Sequence, residues 1–92
     1  MPFTIGCQPN DDVLLREPRV MKLGAHEDYE GGWVWATKEQ AALFIRNSSL
    51  SFPVAVYELE LTGTWETDVS PEPSSDGAHR ILRDARIVQR VS

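Results

Sequence analysis

Three side chains that often carry out chemistry are spread along the sequence without close partners. Cys7 is the only cysteine, and His26 and His79 are the only histidines. A thiol becomes a nucleophile or a redox group beside a base or a cation, and neither histidine is near Cys7 along the chain. Metal ligands also need short, regular spacing, which these residues lack. We therefore expect Cys7 to be a small buried residue, both histidines to be solvated, and no metal to bind.

The aromatic residues are the second group of side chains whose type suggests a function. The chain has 3 tryptophans, and Trp33 and Trp35 are two positions apart in a short segment of β-type composition. Alternate residues of a strand lie on one face, so these two indoles share a surface. Such a surface packs in a core or lines a cleft where a planar ring can stack. Because large aromatic residues dominate small cores, we expect a core or cleft-wall position.

Charge is distributed unevenly along the chain. Residues 1–77 hold 5 basic and 13 acidic residues, a net charge of −8, whereas residues 78–92 hold 4 basic and 1 acidic, a net charge of +3. The C-terminal arginines can bind an anion such as phosphate, but we expect them to pair with the acidic majority. The overall net charge of −5 argues against general nucleic-acid binding, which requires a basic face. These arginines are Arg80, Arg83, Arg86 and Arg90.

Length and composition are those of one globular domain. A chain of 92 residues builds a single core, and 41% hydrophobic with 25% charged residues is ordinary for a folded protein. One cysteine allows no intramolecular disulfide, and no run approaches the length of a membrane span. Residues 1–4 lack the basic start of a secretory signal. We expect one domain over residues 1–92, located in the cytoplasm and without a membrane partner.

Local patterns predict the elements that position these residues. Phe3–Gly6 and Trp33–Ala36 are short strand candidates. The string Thr37-Lys38-Glu39-Gln40 matches a capping box, in which Thr37 accepts from the backbone of Gln40 and the Gln40 side chain returns the bond. A helix is therefore predicted from Thr37 to about Asn47.

The second half of the chain is predicted to be mostly strand and loop. Val54–Leu61 alternates as a strand, Thr64–Glu66 extends it beyond a turn, and Ser70–Gly77 is a lid-like loop. Ala78–Arg83 is a short strand or helical turn, and Ala85–Val91 is a final strand. Residues predicted to face the core are Ala55, Tyr57, Leu59 and Leu61 of the first strand, and Ile87 and Val91 together on one side of the last. The fold class is α+β, with a small mixed or antiparallel sheet and one main helix.

Five stretches, taken in order, resemble a known family. They are Phe3–Cys7, Trp33–Thr37, Val56–Leu59, Leu61–Asp68 and Arg80–Val88. They resemble the motifs of ADP-ribosyltransferases of the rifampin-modifying type, which transfer ADP-ribose from NAD to a hydroxyl group of an antibiotic. The resemblance spans nearly the whole chain and implies a single ADP-ribosyltransferase-like domain.

The resemblance also implies a site. In this family a histidine holds the ribose of NAD, an aromatic residue stacks near the nicotinamide, and a carboxylate stabilises the positive charge as nicotinamide leaves. Ile5 stands at the histidine position and cannot form that hydrogen bond. Asp68 stands at the position of the catalytic carboxylate, or Glu66 if the alignment shifts by one or two residues. The implied NAD-binding residues are Gly6, Trp35, which replaces the family's tyrosine, and Thr37.

These departures imply a degenerate enzyme. Losing one charge-positioning hydrogen bond typically costs about a hundredfold in rate, and here two positions differ. The leading interpretation is a pseudoenzyme that binds a protein partner and needs no cofactor. Two alternatives stay open: an active mono-ADP-ribosyltransferase that uses NAD to modify a small molecule or protein, and an NAD or nucleotide sensor without turnover. The sequence lacks a glycine-rich phosphate loop, which disfavours a kinase or dehydrogenase.

Overall fold

The computed structural model describes residues 2–7, 32–49, 53–83 and 85–91. In these segments antiparallel strands form two small sheets, accompanied by two helices, so the α+β class predicted from the sequence is confirmed. The elements are β1 (Phe3–Cys7), β2 (Trp33–Val34), α1 (Lys38–Asn47), β3 (Val54–Glu60), α2 (Trp65–Asp68), β4 (His79–Arg80) and β5 (Arg86–Arg90). None of the helices described there has the length and apolar character needed to cross a bilayer.

The two sheets are joined through Trp35. One sheet has the order β1-β3-β5, and the other pairs β2 with β4. Phe3 and Trp35 form an antiparallel bridge in which each N–H donates to the other's carbonyl, at 2.9 and 2.7 Å. The backbone that follows β2 is therefore fixed to the start of β1, and Trp35 has a defined place between the sheets.

Strand β3 is buried on both faces at its centre. Ala55, Tyr57 and Leu59 are buried, as predicted, and Leu61 is half-buried beyond the strand. The expectation of one core face was incomplete, because Val56 on the opposite face is 0% exposed and packs with Ile5 and Ala41. Ala41 belongs to α1, so the helix covers the reverse side of the sheet.

The core consists of two clusters, one on each side of β3. The sheet cluster comprises Val34, Ala55, Tyr57, Leu59, Val69, Ile81, Ala85 and Ile87. The helix cluster comprises Ile5, Trp35, Ala41, Val56 and Ala78. Ala55, Tyr57 and Leu59 of β3 lie in the sheet cluster, and Val56 on the opposite face lies in the helix cluster, as the two-residue period of a strand requires.

Helix α1 begins and ends where the sequence predicts. Thr37 adopts an extended backbone, and its Oγ1 accepts a hydrogen bond of 3.2 Å from the N–H of Gln40. No return bond from the Gln40 side chain to Thr37 is seen within the described segments. At the other end, the N–H of Ser48 donates to the carbonyl of Ile45 at 3.3 Å.

Two predictions about the second half are wrong. Thr64–Glu66 does not extend a strand, because the chain turns into α2, where the N–H of Thr64 donates to Thr67 Oγ1 at 3.0 Å. Ile87 and Val91 do not share a face either. Val88 is an extra residue opposite the Glu58–Leu59 step, so Ile87 joins the sheet cluster and Val91 packs against the helix cluster.

The segment between α2 and β4 is a hydrogen-bonded turn. The N–H of Ser74 donates to the carbonyl of Ala78 at 2.7 Å, and the N–H of Gly77 donates to the carbonyl of Ser74 at 2.9 Å. Gly77 has a φ of 84°, a conformation that glycine adopts at little cost. This turn brings Ser74 and Asp76 towards the side of the molecule formed by α1 and Trp35.

Candidate binding pocket

An aromatic cavity of about 240 Å³ lies between β2, α1 and the turn before β4. Its described lining residues are Trp33, Trp35, Phe44, Ser74, Asp76 and Ala78. The rings of Trp35 and Phe44 have centroids 4.9 Å apart and are tilted by 40°. Trp33 and Trp35 line one cavity, as their spacing in the strand predicts. The three aromatic walls suit a planar or apolar group.

Trp35, one wall of this cavity, carries a buried hydrogen-bond donor without a partner in the described part of the chain. The residue is 1% exposed, and its indole Nε1 has no acceptor among the residues that the structure describes. A buried donor without a partner costs about 1–3 kcal/mol.

Asp76 places a negative charge at the rim. Its carboxylate accepts hydrogen bonds from the hydroxyl of Ser74 and, at 3.2 Å, from the N–H of Ala78. The Ser74 bond is the main cause that lowers the pKa of Asp76 below its ordinary value, with partial burial acting in the opposite direction. The rim is therefore anionic at neutral pH.

A second cavity of about 510 Å³ adjoins the first, and Phe44 and Asp76 are common to both. Its other described lining residues are Leu43, Asn47, Ser48 and Ser75. We call the two cavities together the groove. It runs between the C-terminal half of α1 and the turn that carries Asp76, with an aromatic end and a more polar end.

Asp68, the carboxylate implied by the resemblance, occupies a different environment. It is 1% exposed, its Oδ2 accepts from the N–H of Gly63, and its Oδ1 is 3.8 Å from Nε of Arg83. The fit is close, since a Cβ added to Gly63 would lie 3.2 Å from both carboxylate oxygens. Asp68 is not among the described lining residues of the groove, so the groove does not combine this carboxylate with Trp35.

The remaining predicted site residues are dispersed. Glu66 is exposed on α2, and Gly6 is a buried residue of β1 opposite Ala55. Thr37 caps α1 and lines a separate cavity of about 380 Å³. Of the three implied NAD-binding residues, Trp35 alone is among the described residues that line the groove. Ile5, at the family's histidine position, is fully buried in the helix cluster.

Two expectations about polar side chains have different outcomes. Pairing with acidic neighbours is observed for Arg83, described above, and for Arg86, whose Nη2 is 2.5 Å from Glu60 Oε2.

The solvated position expected for His79 is wrong. Its Nδ1 is 2.8 Å from the carbonyl of Ser70, and its ring packs edge-on against Trp65 at 5.0 Å. Cys7 lies in β1, and His26 lies outside the described residues.

Sequence reasoning did not identify Phe44 or Asp76 as residues of the site. Phe44 follows Ala41 by three positions, a spacing that predicts the buried face of the helix, whereas its ring is half-buried and forms a cavity wall. Asp76 precedes Gly77 in a string of turn formers, which predicts a turn but not what the turn faces.

Neither family models nor curated proteins nor solved structures match this chain, so the groove itself is the basis for inferring a function.

Proposed function

We propose that this chain is a binding domain without transferase activity, of the ADP-ribosyltransferase-like type that the sequence resembles. In this proposal the aromatic cavity receives one side chain of a protein partner. The observation that carries it is the cavity itself, with three aromatic walls and without Asp68 among its described lining residues.

Cavity size supports a side chain as the occupant. Small-molecule sites typically enclose roughly 300–1,000 Å³. The aromatic cavity of about 240 Å³ takes one ring or one apolar side chain, and a longer ligand must extend into the adjoining cavity of about 510 Å³. Buried aromatic and apolar anchors of this size often dominate the affinity of a protein interface.

Two features argue against transfer of ADP-ribose. The position that would hold the ribose is Ile5, a hydrocarbon side chain within the core. The implied catalytic carboxylate, Asp68, already accepts from Gly63 and is buried beside Arg83. A carboxylate used in this way supports the local fold, and moving it towards a substrate would leave the Gly63 N–H without an acceptor.

One observation favours a second candidate. Asp76 puts a carboxylate beside aromatic walls, and the nicotinamide ring of NAD is planar and positively charged. A nicotinamide ring could therefore enter the same cavity, as in an NAD sensor or an active transferase. Titration of NAD with tryptophan fluorescence and a nicotinamide-release assay separates the candidates. We expect neither quenching nor release; saturable quenching alone would favour the sensor, and release would favour the enzyme.

The binding proposal is tested with a peptide that carries only an anchor. The probe is acetyl-Gly-Phe-Gly-Gly-amide at millimolar concentration, and the readout is the indole N–H signal of Trp35 in proton–nitrogen correlation spectra, assigned with Trp35→Phe. We expect a saturable shift of that signal. Ala78→Leu fills the cavity and should abolish the shift, whereas Ala42→Leu, the same change on an exposed position of α1, should not. An unmoved indole signal in the folded wild-type chain contradicts the proposal.

A further inference from the structure

Asp76 lies at the junction of the groove, where its charge faces both cavities. It lines the aromatic cavity and the adjoining one, and its side chain is largely exposed. Ser74 and the N–H of Ala78 hold its carboxylate in place. In the described part of the chain, no basic side chain lies within ion-pair distance of it. The groove thus presents a fixed, unneutralised negative charge directly beside an apolar pocket.

That charge is maintained at physiological pH. Hydrogen bonds to the carboxylate favour its ionised form, and the pKa of Asp76 is accordingly below the ordinary value for aspartate. A ligand that covers this carboxylate removes water from it, which costs free energy. A cationic ligand offsets that cost by pairing with the carboxylate, and a neutral ligand does not.

The residues that line the adjoining cavity suit contact with the extended backbone of a bound polypeptide. Asn47 supplies an amide, Ser48 and Ser75 supply hydroxyl groups, and Leu43, 45% exposed, supplies an apolar contact. A polypeptide can use such groups through its N–H and carbonyl groups, while a small amine that fills only the aromatic cavity leaves them unused.

We infer that the partner of this groove is a protein segment with an aromatic or large apolar anchor directly beside a lysine or arginine. The anchor fills the aromatic cavity, the basic side chain pairs with Asp76, and the flanking backbone lies over the adjoining cavity. The inference rests on the proposed function and adds the chemistry of the partner. A partly exposed ion pair corresponds to a preference of about three- to fivefold in affinity.

The test compares peptides that differ only beside the anchor. The neutral probe described above is titrated alongside versions with Lys or Glu on either side of Phe, with the Trp35 indole signal as readout. We expect the better Lys peptide to bind about three- to fivefold more tightly than the neutral one, and the Glu peptides to bind more weakly. Asp76→Asn should remove this ranking, so that the neutral, Lys and Glu peptides bind that variant with equal affinity. Glu72→Gln, the same change of charge at an exposed position outside the described groove lining, should preserve the ranking.

Each contrary result has a distinct meaning. Equal affinity for the neutral, Lys and Glu peptides overturns the requirement for a cation, but the proposal that the aromatic cavity binds the anchor still stands. If no peptide moves the indole signal, the proposed function fails and this inference fails with it. A ranking that survives in Asp76→Asn shows that another carboxylate is responsible and overturns the role of Asp76. Phenethylamine that binds as tightly as the Lys peptide shows that the adjoining cavity is unused, and overturns a protein segment as the partner.

Discussion

Replacing Asp68 with alanine removes the acceptor of the Gly63 N–H in the loop that leads into α2. The lost bond has a charged acceptor, and such bonds contribute about 1.5–3 kcal/mol. The Arg83 contact adds little, because its nearest N···O distance is 3.8 Å and the arginine side chain is 63% exposed. We therefore expect Asp68→Ala to lower the free energy of unfolding by about 2 kcal/mol.

Two matched variants separate the hydrogen bond from the charge. Asp68→Asn keeps an acceptor oxygen of nearly the same shape towards Gly63, so it should lose about half as much stability as Asp68→Ala. Arg83→Gln removes only the exposed cation and should cost at most about 0.5 kcal/mol. The expected order of loss is Asp68→Ala, then Asp68→Asn, then Arg83→Gln.

Urea unfolding followed by tryptophan fluorescence measures these losses, because Trp65 begins the helix that Asp68 ends. The slopes of the transitions should agree between variants, so that shifts in midpoint report stability. A loss below about 0.5 kcal/mol for Asp68→Ala, or an equal loss for Arg83→Gln, would refute the structural role of the Gly63 bond. Folded Asp68→Ala should still bind the neutral anchor peptide, which a residue of the binding site would not allow.

Three further variants test other local features. Gly77→Ala forces a side chain into the left-handed region and places its Cβ 3.4 Å from Gln40 Nε2, so we expect a loss of about 1–2 kcal/mol, measured by urea unfolding. Thr37→Ala removes the cap of α1 and should cost about 1 kcal/mol; a melting temperature equal to that of the wild type would contradict this. The lowered pKa of Asp76 stabilises the folded state above the unfolded-state pKa, and that contribution is lost as the pH falls below about 4. Acid titration of stability should therefore be shallower in Asp76→Asn.

Local signals in the sequence were sufficient for the single elements. The capping string predicted the start of α1, because the first turn of a helix leaves backbone N–H groups unpaired and the Thr37 hydroxyl accepts from one of them. The alternation of residues 54–60 located β3, and the spacing of Trp33 and Trp35 placed both indoles at one cavity. These features depend on neighbours within a few residues, which a single sequence displays.

Relations between distant segments were not accessible in the same way. Nothing near Asp68 in the sequence shows that Gly63 will donate to its carboxylate, because that contact depends on how the loop closes onto α2. Likewise, Asp76 joins the groove only because the turn before β4 is folded against α1. The alignment of motifs grouped Asp68 with Trp35 by order along the chain, and order does not determine which side chains share a cavity.

The extra residue in β5 has a consequence for how this domain tolerates change. Because Val88 shifts the alternation, one short strand anchors both halves of the hydrophobic interior through Ile87 and Val91. Substituting Val88, which is partly exposed, alters little, and deleting it would leave Leu59 opposite Ile87 and Glu58 opposite Gln89 in a regular ladder, so both anchors would keep their faces. An anchor would turn outwards only if the strand straightened with Val88 retained, because Ile87 and Val91 would then share one face.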